Sequence, residues 1–193
     1  MKRMFMFFVA MVSASTLQAQ TPAPLRSELK DQYAAVKNLI VRAAEKMPED
    51  GYAFQPTKEE RNFGGWVAHV ADSEMRICST IAGAAKNINA ASKTTKTELL
   101  TALKEGFDAC DAVYEANTDA NLNDGVTLGR GGPRTRAALL VADIAHSNEC
   151  YGTMAVYLRL KEEVPPSSEG RGGAGRGGAG RGAPGAPVGG GRQ

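Results

Sequence analysis

The chain contains two histidines, His69 and His146, and the second stands four residues before a cysteine, Cys150. On a helix that spacing puts imidazole and thiol on one face, one turn apart. Imidazole nitrogen and thiolate sulfur are both good zinc donors, and an i, i+4 pair can hold one ion. The same spacing also describes a histidine and a small thiol packed in a core, and on spacing alone that reading is favoured. His69 lies in a different segment, and spacing does not show whether it meets the pair. Cys78 follows His69 by nine residues. At about 100° per residue it points to the opposite helix face and is no ligand of the same site. Three cysteines (Cys78, Cys110, Cys150) leave room for one disulfide and one free or metal-bound thiol, with the pairing open.

Four helices have to position these residues. Leu25, Leu29, Tyr33, Val36, Ile40, Ala43 and Met47 recur at threes and fours, which predicts a first helix from Leu25 to Met47, stopped by Pro48 and Asp50-Gly51. A second starts at the N-cap Asn62 and runs to about Lys86, with Gly64 and Gly65 weakening its first turn. A third spans about Thr97 to Asn117, and the Gly-rich stretch from Gly125 to Pro133 is a loop. The fourth extends from Thr135 to Lys161, ahead of Val164-Pro165-Pro166. No long alternating run predicts a sheet, so the fold class is all-α, a four-helix bundle. Asp143, Thr153 and Tyr157 in the fourth helix, and Asp72, Ser73 and Arg76 in the second, neighbour the candidate ligands. A carboxylate among them could orient an imidazole or take a proton; an ordinary interhelix contact is the default. Glu149 points about 100° away from the His146/Cys150 face.

Both ends differ in character from this body. Lys2 and Arg3, the apolar run Met4 to Val12 and the small residues leading to Ala19 have the layout of a secretory signal peptide over residues 1–19. That run is shorter than the roughly 18 residues of a membrane span. Residues 169–193 form a Gly/Arg-rich segment with almost nothing apolar to bury, which predicts a disordered tail. The expected bundle is residues 20–168, periplasmic or secreted. Of 23 basic and 21 acidic residues, six basic ones (Lys2, Arg3, Arg171, Arg176, Arg181, Arg192) and one acidic one (Glu169) lie in the ends. The body therefore holds 17 against 20, about −3. That balance argues against a nucleic-acid-binding face. The sparse arginines of the tail read as solvated rather than as a polyanion-binding device.

The stretch His146-Ser-Asn-Glu-Cys150-Tyr-Gly152, with Tyr157-Leu-Arg-Leu and Val164-Pro-Pro-Ser-Ser168, resembles the last helix of the DinB family. Its exported members carry His-x-x-Glu-His-Tyr-Gly, Tyr-Leu-Arg and Pro-Pro-Ser in that order. Upstream, Met47-Pro48, Tyr52-x-Phe54-x-Pro56, Arg61-x-Phe63-Gly64 and His69-Val70-Ala71 resemble the family's connector and second helix. The resemblance covers about residues 25–168. It implies a bundle in which one histidine of the second helix and two of the fourth hold a divalent ion, commonly zinc or nickel, with open positions for water or substrate. His69 and His146 match the first two ligands, and Cys150 stands where the third histidine is expected.

Three readings of Cys150 follow: a zinc ligand replacing imidazole, a residue of a site that has lost its metal, or a thiol already oxidised or disulfide-bonded. Cys78 and Cys110 then read as packing residues or a disulfide. Relatives in the wider superfamily include metal-dependent thiol transferases and thiol-dependent isomerases. The resemblance therefore implies activation of a thiol or water for transferase or hydrolase chemistry on a small molecule. The alternative is a non-catalytic envelope protein that binds a small molecule or a partner, a second copy of the chain included.

Overall fold

Pro24 stands at the N-cap of the first helix, which forms where the apolar residues begin to recur at helical spacing. A computed structural model describes residues 23–129 and 131–170. The expected signal peptide, and the tail beyond Gly170, lie outside the described residues. Four helices make up the body: α1 (Leu25–Lys46), α2 (Phe63–Ile81), α3 (Lys96–Ala116) and α4 (Arg136–Leu160). Both α1 and α2 pack against α3 and α4, so the perimeter runs α1–α3–α2–α4 and each helix bearing a candidate ligand neighbours the other. No helix among the described residues is long and apolar enough to cross a membrane.

Each boundary has a local cause. The carboxamide of Asn62 accepts from Gly65 N at 2.7 Å and starts α2. Thr95 and Glu98 form a reciprocal capping box at the start of α3. Thr135 caps α4 by accepting from Ala138 N. The second helix ends at Ile81, five residues before the expected Lys86. The stop is Gly83, whose φ of +80° is the left-handed conformation that terminates helices. The stretch read as a loop, Gly125 to Pro133, is closed at its base by a two-residue antiparallel pairing of Gly125–Val126 with Arg134–Thr135.

The core is the continuous apolar face of all four helices, including Ile40, Phe63, Leu103, Phe107, Leu139 and Leu158. The α1–α2 connector is tied into it. Tyr52 donates its hydroxyl to Ala44 O at 2.7 Å and packs edge-on against Phe63. Gly64 admits that connector, since a Cβ there would stand 3.2 Å from both Tyr52 O and Leu99 Cδ1.

Cys78 of α2 and Cys110 of α3 form a disulfide across the closest helix pair, and Cys150 is free. The pairing removes the reading in which Cys150 is disulfide-bonded. By loop-closure entropy a crosslink over 32 residues restricts the unfolded chain by roughly 3–4 kcal/mol.

The α2–α3 approach rests on Gly106, where an added Cβ would lie 2.7 Å from Ala71 O of α2. Gly106→Ala gains about 1 kcal/mol of helix propensity but forces the helices apart. The expected net effect is a destabilisation of about 1–2 kcal/mol, read from the urea midpoint with helix content unchanged. A variant as stable as wild type or more so would show that the contact is not tight.

Candidate metal centre

His69 projects from the middle of α2 and His146 from the middle of α4. Their Nε2 atoms lie 3.0 Å apart and their rings meet edge to face. Cys150, one turn further along α4, places Sγ 3.6 Å from His146 Nε2. One donor atom from each of the three residues lies within 4.8 Å of the others. The structure thus brings together all three residues singled out in the sequence, including His69, which spacing alone did not join to the pair. Around a tetrahedral zinc, adjacent nitrogen and sulfur donors stand about 3.3–3.6 Å apart, close to the edges seen here. Without an ion the Nε2–Nε2 contact is a hydrogen bond between opposite tautomers, one ring donating and the other accepting.

The surroundings set the protonation states. Burial pushes the pKa of His69 below the usual histidine value, and Arg61, His146 and Arg76 push in the same direction. Burial also lowers that of His146, with Arg76 adding to the effect and Glu149 opposing it. The Cys150 thiol is pushed up to about 12, chiefly by burial and then by Glu149 and Glu74. At neutral pH the cluster is therefore two neutral imidazoles and a protonated thiol. All the donor capacity for a soft divalent ion is present, with one proton to be displaced.

Aromatic packing holds the ligand rings. Trp66 lies one turn before His69 and meets its ring edge-on. Its Nε1 donates to Tyr157 Oη at 3.2 Å, and that hydroxyl donates to Arg61 O at 2.6 Å. The Arg61 guanidinium stacks 4.9 Å above the Trp66 ring. Tyr157 was a sequence neighbour of the site; the roles of Trp66 and Arg61 were not legible, because neither carries a ligand atom.

Neither aspartate near the ligands orients an imidazole. Asp72 accepts from Ala90 N and Ala91 N, capping the short turn Ala90–Ser92. Asp143 is turned into the core, where it accepts from Tyr114 Oη. Among the described residues no carboxylate hydrogen-bonds either histidine. Beside His69 opens a cavity of about 730 Å³ whose walls include Tyr52, Arg61, Gly65, Asp72 and Lys93. His69 lines it, and His146 and Cys150 are not among its walls.

The fold that carries these residues has relatives of known structure. A DinB-like protein from Bacillus cereus ATCC 10987, of known crystal structure, is 15% identical, with a TM-score of 0.64 over 72% of this chain and 95% of that one. A DinB-like protein from Bacillus subtilis is 22% identical, with a TM-score of 0.59 over 71% of this chain and 94% of that one. At these identities the likeness is one of fold. Comparison with curated protein sequences gives no match. The model of the DinB superfamily matches residues 32–154, most of the bundle and all three clustered residues, and the chain belongs to that superfamily.

Proposed function

We propose that His69, His146 and Cys150 bind a single divalent ion, zinc in preference to nickel, and that the open coordination position serves a small molecule entering from the cavity beside His69. The observation that carries this reading is the convergence of three donors from two helices at distances near the edges of a zinc tetrahedron. Such an ion supplies Lewis acidity that lowers the pKa of a coordinated water or thiol. The protein's own groups then have limited roles. The imidazoles are already neutral donors, Cys150 gives up its proton to become a thiolate, and Trp66 with Tyr157 fixes the His69 ring. Arg61 and Lys93 line the cavity and offer positive charge to an anionic substituent of the incoming molecule. With no carboxylate on either imidazole, activation rests on the ion and on positioning rather than on a proton relay. A transferase or hydrolase reaction fits that arrangement, and an exported location is proposed with it from the N-terminal pattern.

The second reading is a metal-free bundle that binds a small molecule in the same cavity. The high pKa of Cys150 favours it, because a protonated thiol is a poor ligand.

Metal content separates the two. With the Cys78–Cys110 disulfide intact, the wild type is expected to take up about one equivalent of zinc. His146→Ala is expected to bind at least about 100-fold more weakly, and Cys150→His to keep the metal and accept nickel more readily. Zinc retained only by Cys150→His identifies a site that has lost its ion, and zinc bound equally by His146→Ala removes the proposal.

Proton release gives an independent measure. Because the histidine pKa values are lowered and that of Cys150 is about 12, zinc binding near neutral pH displaces the thiol proton and no imidazole proton. The expected affinity rises about tenfold per pH unit above neutrality, and weakens more steeply only at acid pH, where the imidazoles protonate. Calorimetry in buffers of differing ionisation enthalpy should report about one proton released in wild type. Cys150→Ala should release fewer, and equal release in both proteins would place Cys150 outside the coordination set.

A further inference from the structure

A second set of metal-ligating side chains lies inside the bundle, off the His69 face. Glu74 and Cys78 are one turn apart on α2, Cys110 is on α3 and Asp143 on α4. All four are buried, and one donor atom from each lies within 4.8 Å of all the others. The sulfurs are joined as the disulfide already described.

Each carboxylate is held at one oxygen only. Ser147 donates its hydroxyl to Glu74 Oε1 at 2.5 Å, and Tyr114 donates to Asp143 Oδ2 at 3.0 Å. The other two oxygens have no donor. Asp143 Oδ1 is fully buried without a partner. Glu74 Oε2 stands 3.0 Å from Cys110 Sγ, and a disulfide sulfur carries no hydrogen to give. Lys37, the basic group that acts on Glu74, is itself paired with Asp111. Arg76 acts on Asp143 through space, and among the described residues no salt bridge reaches either carboxylate. Two acidic groups so buried, each with a free oxygen, are rare in a core that satisfies its polar atoms.

We propose that reduction of the Cys78–Cys110 disulfide turns this cluster into a second zinc site, closed and structural, with Cys78, Cys110, Glu74 and Asp143 as its four ligands. Disulfide and metal are then alternative occupants of one core position. A thiol reductant of the dithiol class supplies two electrons and two protons: its own disulfide forms as the Cys78–Cys110 bond breaks, leaving two thiols. Zinc binding displaces both thiol protons, and any proton held by Glu74 or Asp143, to solvent. The sulfurs separate from bonded contact to roughly 3.8 Å, as two thiolates on a tetrahedral ion do. The hydroxyls of Ser147 and Tyr114 already bind the carboxylate oxygens left outside the coordination shell and orient both ligands. The arrangement supplies an α2–α3 staple in either redox environment.

The rival account is a carboxyl–carboxylate pair that shares a proton and has no use for the sulfurs. Burial raises the pKa of Glu74 well above its usual value and that of Asp143 to about 6, which suits proton sharing while the disulfide is intact. The two accounts differ in what reduction does.

The experiment uses the full chain carrying His69→Ala, His146→Ala and Cys150→Ala, so its outcome is independent of the function proposed for the first centre. Both cysteines are buried, so the reduced state is entered from the unfolded chain. The protein is denatured with a phosphine, which becomes phosphine oxide with oxygen from water, then refolded with and without zinc. About one equivalent of zinc is expected in the reduced chain and none in the oxidised one, with a thiolate-to-cobalt charge-transfer band when cobalt replaces zinc. Glu74→Gln and Asp143→Asn should each weaken binding at least about tenfold. A reduced chain that needs zinc to regain its helical signal also supports the site. Three results overturn it: a reduced helical chain that holds no zinc, zinc retained undiminished by both carboxylate variants, or a reduced chain that stays unfolded with zinc present.

Discussion

Helix α2 has to meet two neighbours at fixed distances, and the positions of the chemically active residues follow from that. Toward α3 it is held by Gly106, whose missing side chain lets the two backbones approach, and by the disulfide between Cys78 and Cys110. Toward α4 it carries His69 to within hydrogen-bonding distance of His146. If α2 shifted against α3 its position beside α4 would shift too, and the Nε2–Nε2 separation would change with it. Packed interiors pass such displacements on because they have little free volume to absorb them. The Asn62 cap and the close fit at Gly64 set where α2 begins, and so the height at which His69 meets its partner.

That helix also divides two kinds of polar chemistry. His69 and Cys78, nine residues apart, look in opposite directions. On the His69 side the two imidazoles are half-buried, Cys150 is buried, and His69 borders a cavity through which solvent and ligands can reach it. On the Cys78 side the polar groups are sealed and held by Tyr114 and Ser147. Desolvation acts on both sides with different results. It holds the histidines neutral, which prepares them as ligands, and it holds the thiol of Cys150 protonated and raises the pKa of the Glu74 carboxyl, which does not.

Much of this was legible in the residues. The four helices follow from apolar spacing and from Asn62, Thr135 and Pro48, and the His146/Cys150 pair from a spacing of four. Joining His69 to that pair needed the family resemblance, because nothing local in α2 says which helix it will face. The end of α2 was misplaced although Gly83 was there to mark it; Ala84 to Ala85 continue a helix-compatible composition, and only the positive φ makes the stop visible. Asp72 and Asp143 read as neighbours of the ligands, but one is taken by a turn and the other by a tyrosine. Glu74 was not legible as a core group, because a glutamate on a helix is ordinarily solvated and its burial depends on α3 and α4 closing over it.

If the first centre holds zinc as proposed, its electrostatics suit a cysteine at position 150 in place of a third imidazole. Arg61 and Arg76 both disfavour positive charge at His69, and Arg76 does so at His146 as well. A dication held by three neutral imidazoles would add its full charge to that field. A dication held by two imidazoles and a thiolate adds one unit less, so the pair of guanidiniums opposes it less strongly. The thiolate also softens the donor set, which favours zinc over harder ions. The cost is reduced Lewis acidity, since charge donated by sulfur leaves less to polarise a coordinated water. Under that proposal such a centre would be better matched to binding and activating a thiol, whose pKa needs only a small reduction from about 8.5, than to making hydroxide from water at neutral pH.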